Sequence, residues 1–152
     1  MAVDVSTDTV IRRPRGDVAA YSANTDNAPS WYVNIEAVQW KTAPHAGVGS
    51  QVAFVAHFLG RRLAYTYEIV EFVPGERLVM RNAEGPFPME TTYTWDTTPE
   101  GHTRMVLRNR GTPAGFSKVV APLMASAMRR ADKKDLARLK GLLEGPSEAA
   151  GS

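Results

Sequence analysis

The sequence predicts an α+β fold in which a curved antiparallel sheet of about seven strands wraps around one long C-terminal helix. Three observations support this prediction. Apolar and polar residues alternate in several short segments, Gly and Pro residues separate those segments, and the spacing becomes helical from about residue 114. Two short helices are predicted after the first strand. A sheet wrapped around a helix leaves a space between the two layers, which we expect to be a pocket.

Length and composition limit the domain organisation and the available chemistry. The 152 residues predict a single domain over residues 1–144 and a flexible tail of small and polar residues over 145–152. The chain has no Cys, so disulfides, thiolate metal ligands and Cys nucleophiles are excluded. No secretion signal or membrane span is visible, which predicts a cytoplasmic protein. The formal net charge of +2 does not indicate a nucleic-acid partner.

The first elements are a strand and two short helices. Val3 to Arg12 is rich in β-branched residues, although its pattern does not define an inward face. Pro14 near the first turn and Asp17 at the positive end of the helix dipole predict a helix that ends near Ala23. One further helical turn is predicted over residues 28–32. The chain then enters the main part of the sheet.

Six strand segments follow, each with alternating side chains. On the first of them, Val33, Ile35 and Ala37 are expected to share one face of a half-buried strand. The opposite face of the sheet is expected to be charged and solvated. The six segments cover about residues 33–38, 51–59, 63–70, 78–82, 87–96 and 103–110. The outward residues include His57, Glu68, Glu71, Glu90, Arg104, Arg108 and Arg110.

The last element is a long amphipathic helix from about Ala114 to Glu144. Pro122 lacks an amide donor and clashes with the preceding turn, which predicts a kink or break near Ala121. Gly145 and Pro146 then end the helix. Its apolar stripe contains Phe116, Val120, Leu123, Met124, Ala127, Ala131, Leu136, Leu139 and Leu143.

Several of these features occur in an order that is known from one family. They are Ile11, Pro14, Val18, Trp31, the turn at 47–49, the strand end at 67–71, the turn at 74–78, and the turn at 99–101 before residues 103–106. In this order the chain resembles the polyketide cyclase/dehydrase and lipid-transport group of the SRPBCC (START/birch-pollen-allergen-like) superfamily, over about Val5 to Glu144. The resemblance implies a helix-grip fold that encloses an elongated apolar cavity for lipids, sterols, polyketides or other hydrophobic molecules.

The residues that face the predicted space form the candidate ligand-binding set. Plain core packing is the alternative for each of them. Buried Tyr hydroxyls, Thr91 and the Asn109 amide need hydrogen-bond partners, which a ligand can supply, and Met thioethers adapt to different shapes. Trp31 is either at the pocket mouth or, as burial tendencies favour, a structural plug. The set comprises Trp31, Phe54, Phe58, Tyr65, Tyr67, Leu78, Met80, Met89, Thr91, Tyr93, Trp95, Met105, Leu107, Asn109, Phe116, Val120 and Met124.

Catalytic and cofactor motifs are poorly represented. His45, His57 and His102 lie in turns or on the outward face without metal-ligand spacing, so no metal is expected. The sequence has no Gly-x-Ser-x-Gly elbow, no phosphate-binding loop and no complete dinucleotide fingerprint, so no cofactor is expected. The glutamates are expected in solvent, and no inward Arg or His is assigned as an acid or base.

Three hypotheses of function follow. The leading one is a non-enzymatic binder or carrier of a hydrophobic small molecule. The second is a polyketide cyclase/dehydratase-like enzyme, as the resemblance implies, with Tyr65, Tyr67, Tyr93 and Asn109 as donors near reactive carbonyls. The third is a protein- or nucleic-acid-binding module that uses Arg104, Arg108 and Arg110 on the outer face. The sequence does not identify the ligand or the oligomeric state.

Overall fold

The computed structural model describes residues 3–58, 60–84, 88–111 and 121–145. It has the predicted α+β helix-grip fold, with seven strands, two short helices after the first strand and a long C-terminal helix. The elements are β1 (Val3–Ile11), α1 (Arg15–Ala23), a one-turn 3₁₀ helix (Thr25–Asn27), α2 (Ala28–Trp31), β2 (Ile35–Trp40), β3 (Gln51–Phe58), β4 (Arg61–Val73), β5 (Arg77–Glu84), β6 (Met89–Thr97), β7 (Thr103–Gly111) and α3 (Ala121–Glu144).

The strands form a single antiparallel sheet in the order β1-β7-β6-β5-β4-β3-β2. Consecutive strands from β2 to β7 are therefore neighbours, and β1 adds to the free edge of β7. The turns after β4 and β6 place Gly75 and Gly101 at φ angles of 79° and 83°, a region that only glycine adopts without strain. The Gly-containing breaks in the sequence predicted these hairpins correctly because the turns need a residue with a positive φ angle.

β1 has a clean alternation that its sequence did not reveal. Val3, Val5, Thr7 and Ile11 are inward and the intervening residues are more exposed. The inward face of β1 could not be predicted from the sequence because one of its residues, Thr7, is polar. Its buried hydroxyl has no hydrogen-bond partner within the described residues.

β2 departs from the predicted alternation. The strand begins at Ile35, and its pairing with β3 shifts in register between Ile35 and Ala37. Such a bulge moves the following side chains to the opposite face. The predicted inward position is correct for Ile35. It is wrong for Ala37, which follows the bulge, and for Val33, which lies before the strand begins; both are exposed, and Val38 is the better-covered residue beyond the bulge.

α3 packs most closely against β1 and also contacts α2 and β7. Its apolar face buries Met124, Leu136 and Leu139. The predicted helix start near residue 114 and most of the predicted tail fall on residues 112–120 and 146–152, outside the described residues. The described helix begins at Ala121, so the kink predicted there stays a prediction. No described helix has the length and apolar character that are needed to cross a membrane.

The end of α3 is joined to the end of β1 by one carboxylate. Glu144 accepts hydrogen bonds from the Arg12 backbone nitrogen at 2.9 Å and from Lys140 Nζ at 2.5 Å. Arg13 also donates from its guanidinium to the Leu143 carbonyl. Although partial burial opposes it, the hydrogen bonds from Lys140 and Arg12 lower the pKa of Glu144 to about 2. These contacts attach the C-terminal end of α3 to the end of β1.

Candidate functional site

A cavity of about 120 Å³ lies between α3, the short helices and the inner face of the sheet. The wall includes residues of β1 and β7, next to which α3 packs, and residues of the strands farther from that edge. Apolar side chains make up much of its wall, and aromatic hydroxyls and two carboxylates interrupt them. The wall is formed by Val3, Ser22, Thr25, Ala28, Tyr32, Asn34, Ile35, Phe54, Ala56, Leu63, Tyr65, Tyr67, Met80, Met89, Thr91, Tyr93, Asn109, Arg110, Gly111, Met124, Met128, Ala131, Asp132 and Asp135.

The candidate set from the sequence divides into three groups. Phe54, Tyr65, Tyr67, Met80, Met89, Thr91, Tyr93, Asn109 and Met124 line the cavity. Trp31, Leu78, Trp95, Met105 and Leu107 are buried in the packed core and are not part of the cavity wall. The side chains of Phe58, Phe116 and Val120 lie outside the described part of the structure. The role of each wall residue in ligand binding stays a prediction.

Trp31 occupies the position expected of a structural plug. It is 0% exposed, and its ring lies 4.2 Å from the ring of Tyr32 and 5.8 Å from that of Tyr93, measured between centroids. Its indole nitrogen has no hydrogen-bond partner within the described residues. Trp31 thus supports two aromatic wall residues from behind.

A hydrogen-bonded chain crosses the sheet beneath the cavity. The Thr91 hydroxyl donates to Asn109 Oδ1 at 2.6 Å, so the Tyr67 hydroxyl, 2.9 Å from Thr91 Oγ1, must be the donor to Thr91. Asn109 Nδ2 donates to both carboxylate oxygens of Asp132 at 3.0 Å. The chain therefore fixes the direction of each bond. Tyr67 directs its proton into the protein and leaves an oxygen lone pair as an acceptor.

Two other tyrosines form a pair. The hydroxyl oxygens of Tyr32 and Tyr93 lie 2.5 Å apart. One of them donates to the other, which leaves the second proton free for a further partner. Burial raises the pKa of both phenols well above the ordinary value, so both are neutral at physiological pH.

Tyr65 is a wall residue whose polar group has no partner in the protein within the described residues. Its ring stacks on Phe54 with centroids 5.5 Å apart and contacts Tyr67 at 5.1 Å. No hydrogen bond within the described residues uses its hydroxyl, and burial raises its pKa well above 10. Tyr65 is thus a neutral donor that is available to a molecule in the cavity.

Two cavity carboxylates, Asp132 and Asp135, were not predicted from the sequence. They are 4% and 2% exposed, and Asp135 Oδ1 accepts the Val33 backbone N–H at 2.8 Å. Burial raises the pKa of Asp132 to about 6, against the opposing hydrogen bond from Asn109. Burial, aided by the charge of Asp132, raises the pKa of Asp135 to about 7. Both carboxylates can therefore change their charge near neutral pH.

The missed residues did leave a signal in the sequence. Met128, Asp132, Asp135 and Leu139 are spaced by four, three and four residues, so they share the inward face of α3. Acidic residues on a helix usually face solvent, and this general tendency hid the pattern. Tyr32 was also missed because it follows Trp31 at the end of a short helical turn.

The outer face of the sheet carries paired charges. Arg104 pairs with Asp8, Arg108 with Asp4, and Arg110 with Glu90. His57 is exposed and lies 3.0 Å from a Glu36 oxygen. No group of three His, Cys, Asp or Glu side chains within the described residues could hold a metal ion. The basic residues that the sequence placed outward therefore do not form an unbalanced positive surface.

Glu90 is the best-covered acid of this outer face. It accepts hydrogen bonds from Arg81 and Arg110, which lower its pKa although partial burial opposes them. It is paired and negatively charged, and it is not a candidate general acid. Glu68 and Glu71 are also outside the cavity wall.

The comparisons with known proteins agree with this architecture. Residues 2–144 match the family described as "Polyketide cyclase / dehydrase and lipid transport". No curated protein matches the sequence significantly.

Solved structures with the same fold include three with TM-scores of 0.80 or 0.81. The Zhui aromatase/cyclase from Streptomyces sp. R1128 has a TM-score of 0.81 and 18% identity, covering 100% of this chain and 99% of that one. TTHA0849 from Thermus thermophilus has a TM-score of 0.80 and 20% identity, covering 98% and 99%. A START superfamily protein from Mycobacterium smegmatis has a TM-score of 0.80 and 12% identity, covering 93% and 97%. At these identities the structural similarity shows the fold alone.

Proposed function

Because the chain belongs to the polyketide cyclase/dehydrase and lipid-transport family, we propose that it binds or carries a hydrophobic small molecule between its sheet and α3. The observation that carries the proposal is a cavity whose wall is largely apolar and aromatic and which still contains an uncommitted hydroxyl, that of Tyr65. Small-molecule sites typically combine an apolar wall with a few polar groups that orient the ligand.

The size of the cavity defines the first ligands to try. Its volume of about 120 Å³ is close to that of an engineered apolar cavity of about 150 Å³ that binds benzene. The wall also contains Met80, Met89, Met124 and Met128, whose unbranched side chains rearrange easily. A single aromatic ring is the minimum occupant, and rotation of these side chains would admit a longer lipid or polyketide chain.

The hydroxyl groups of the wall can orient an oxygen atom of a ligand. Tyr65 offers a hydroxyl donor, and so does one member of the Tyr32 and Tyr93 pair. Tyr67 offers an acceptor because its own proton is directed to Thr91. A carbonyl near Tyr65 and a hydroxyl near Tyr67 would satisfy these groups.

Native mass spectrometry of the full chain, purified without added ligand, is the first test. We expect a co-purifying hydrophobic molecule or, if it is lost, saturable binding of acetophenone in a titration followed by amide NMR shifts. Ala131→Leu fills space at the cavity wall and is expected to abolish binding. Ala64→Leu adds the same bulk at an exposed position of β4 and is the control. Equal binding by the two variants would contradict the proposed site.

Tyr65→Phe gives a readout that does not depend on a change in volume. It removes the free donor and keeps the ring, so acetophenone affinity should fall about 3- to 10-fold, which is typical of one neutral hydrogen bond. Binding of toluene, which has no oxygen, should not change. An equal effect on both ligands would show that the hydroxyl does not contact the ligand.

A second candidate function is polyketide cyclase/dehydratase-like chemistry, and the position of Asp135 favours it. Its pKa of about 7 suits a general base, and Tyr65 can donate to a carbonyl oxygen in the same cavity. In an aldol closure the carboxylate would remove a proton from a carbon between two carbonyls. The enolate carbon would then attack another carbonyl carbon, and the alkoxide formed would take the proton back from Asp135. Loss of the resulting hydroxyl group with a hydrogen of the neighbouring carbon would release water. The similar Streptomyces protein is named an aromatase/cyclase.

The hydrogen bonds around the cavity leave fewer free donors for this chemistry than the sequence predicted. Asn109 directs its amide to Asp132 and Tyr67 directs its proton to Thr91, so neither is free to donate to a substrate. Incubation with a linear aromatic poly-ketone, followed by mass spectrometry, tests the candidate. Loss of water from the substrate that is abolished in Asp135→Asn, with acetophenone binding intact, would support it. An unchanged substrate in the presence of the bound wild-type protein would refute it.

A further inference from the structure

The two cavity carboxylates are not neutralised by a direct contact with a cation within the described residues, although the charge of nearby Arg138 opposes the rise in the pKa of Asp135. Neither Asp132 nor Asp135 forms a salt bridge there, although both are more than nine-tenths buried. The nearby bases are engaged elsewhere. Arg138 donates to the Ser30 carbonyl at the exposed end of α2, and Arg110 pairs with Glu90. Buried carboxylates are normally paired with a cation or neutralised by a proton, because an unpaired buried charge is costly.

Protein hydrogen bonds satisfy only part of this pair. Asn109 serves both oxygens of Asp132, and the Val33 amide serves Oδ1 of Asp135. Oδ2 of Asp135 has no partner within the described residues, and Asp135 lies at the cavity wall. The hydrogen bond to Oδ1 holds the Asp135 carboxylate in place, and Oδ2 is left as an acceptor for a donor in the cavity.

A second, independent group at the cavity wall also lacks a partner. Thr25 is 4% exposed, and its hydroxyl has no hydrogen bond within the described residues. Thr25 belongs to the 3₁₀ helix and not to α3, so a second element of the cavity wall also carries a buried polar group without a partner. A buried hydroxyl without a partner is uncommon in native proteins.

The aromatic part of the wall is suited to a cation. Aromatic rings of Tyr32, Tyr65, Tyr67, Tyr93 and Phe54 surround the cavity. The faces of such rings attract an ammonium group, and the attraction increases when the group is desolvated. The combination of buried carboxylates and aromatic faces supplies both electrostatic contacts that a protonated amine requires.

We infer that the ligand of this cavity is a small hydrophobic amine whose ammonium group lies beside Asp135 and Asp132. The inference rests on the proposed binding function and adds the charge of the ligand to it. The ammonium would donate to the open Oδ2 of Asp135 and its hydrophobic body would fill the aromatic part of the cavity. A neutral carbonyl ligand that accepts a hydrogen bond from a protonated Asp135 is the competing occupant.

The two occupants predict opposite pH dependence. An alkyl amine stays protonated up to about pH 9, as a lysine does, so its binding should strengthen as the aspartates ionise. The pKa values of Asp132 and Asp135, about 6 and about 7, place this change between about pH 5.5 and 8. A carbonyl ligand that needs a protonated Asp135 should weaken over the same range.

The other charged or titratable groups near the pair do not change their charge in this window. Burial keeps Tyr32, Tyr65, Tyr67 and Tyr93 neutral, with pKa values above the ordinary one. Arg138 and Arg110 remain cationic, since a guanidinium does not lose its proton at these pH values. Glu90 remains ionised because its pKa is lowered by its arginines. A pH effect on binding would therefore report on the two aspartates.

Benzylamine and benzyl alcohol provide the test, because they share one ring and differ in the charged group. Each is titrated into the full chain at pH 5.5 and pH 8 and followed by calorimetry or amide NMR shifts. We expect benzylamine to bind at least about 10-fold more tightly at pH 8 than at pH 5.5, and benzyl alcohol to show no such gain. Asp135→Asn should remove the gain, whereas Asp96→Asn, at an exposed position of β6, should retain it.

The outcomes separate this inference from the proposed function. Binding of benzyl alcohol that equals or exceeds benzylamine binding at pH 8 would overturn the inference and leave the binding function intact. Failure of benzylamine, benzyl alcohol and acetophenone to bind, with nothing co-purifying, would overturn both. The comparison of the two ligands uses the wild-type protein, so it does not depend on the folding of any variant.

Discussion

The Asn109 amide donates to both carboxylate oxygens of Asp132 at 3.0 Å, across the boundary between β7 and α3. This contact joins the sheet to the closing helix inside the protein, where Asp132 is almost fully buried. The same side chain accepts from Thr91 on β6, so one residue connects three elements and fixes the direction of a buried hydrogen-bond chain. The position of the Asp132 carboxylate depends on this side chain.

Asn109→Ala should destabilise the protein most at alkaline pH. The substitution leaves an ionised, buried Asp132 without its donors, and the expected loss is about 1 to 3 kcal/mol in the free energy of unfolding at pH 8. At pH 5 Asp132 is largely protonated, since its pKa is about 6 and rises further when the amide is removed, so the loss should be smaller. Urea unfolding at the two pH values measures both quantities.

The double variant Asn109→Ala with Asp132→Asn is the control for this prediction. It removes the carboxylate whose ionisation causes the pH dependence, so its stability relative to the Asp132→Asn variant should not depend on pH. A loss in Asn109→Ala that is the same at pH 5 and pH 8 would show that packing, and not the amide-carboxylate contact, is what the residue contributes.

The free energy of unfolding of the wild-type protein should fall as pH rises from about 4 to about 8. Asp132 and Asp135 have folded pKa values of about 6 and about 7, above the ordinary value of 3.8. The folded state therefore binds more protons than the unfolded state over this range, and its advantage is lost as the pH passes through the folded values. We expect a decrease of more than about 1 kcal/mol, because one pH unit between the folded and unfolded pKa corresponds to about 1.4 kcal/mol.

Asp135→Asn tests the origin of this decrease. The amide cannot ionise, so the urea midpoint should become less dependent on pH, and the variant should be more stable than the wild type at pH 8. Asp96→Asn is the matched control at an exposed site and should keep the wild-type slope. A wild-type slope in the Asp135→Asn variant would mean that other groups control the pH dependence.

The sequence predicted the fold better than it predicted the cavity, and particular residues show why. The hairpins were predictable because alternation and turn residues are local signals, as at Pro74 and Gly75. The bulge near Ala37 was not, because it arises from pairing between strands that are distant in the sequence. Asp132 and Asp135 were missed for the related reason that burial of a helix carboxylate depends on tertiary packing.

Within the candidate set, the sequence could identify the inward face but not which inward side chains border empty space. Leu78 and Met80 lie on the same face of β5, yet only Met80 lines the cavity, because neighbouring side chains cover Leu78 completely. The alternation of side chains along a strand predicts which residues face inward. Whether an inward residue borders a cavity depends on how completely the side chains of other elements fill the space above it.

Glu144→Gln should weaken the attachment of α3 to β1 at neutral pH. The side chain is 11% exposed and its pKa is lowered to about 2, so its ionised form stabilises the folded state. That contribution is present above the unfolded pKa and is lost as the pH falls through the folded value. Because Arg12 and Lys140 are substantially exposed, we expect a loss of only about 1 kcal/mol at pH 7.

Urea unfolding at pH 7 and at pH 2 checks this prediction. The difference between Glu144→Gln and the wild type should shrink at pH 2, where the wild-type carboxylate is partly protonated. Hydrogen exchange should show faster opening of the last turn of α3 in the variant, while β6 in the interior of the sheet keeps its protection. Exchange that is faster in both elements to the same extent would indicate a global loss of stability and would contradict a local attachment of α3 to β1.

Trp31→Phe should lower the stability and leave ligand binding nearly unchanged. The indole is completely buried behind Tyr32 and Tyr93 and does not line the cavity, so the smaller ring creates a packing defect outside the binding space. We expect a loss of about 1 to 3 kcal/mol from that defect. Removal of an indole N–H that has no partner within the described residues should offset part of it.

Acetophenone affinity should stay within about 2-fold of wild type, since no wall atom is removed. Tyr65→Phe, a wall substitution that also keeps an aromatic ring, is the comparison. A fall in affinity for Trp31→Phe as large as that for Tyr65→Phe, in protein that is folded under the assay conditions, would place Trp31 at the pocket mouth and contradict its role as a plug.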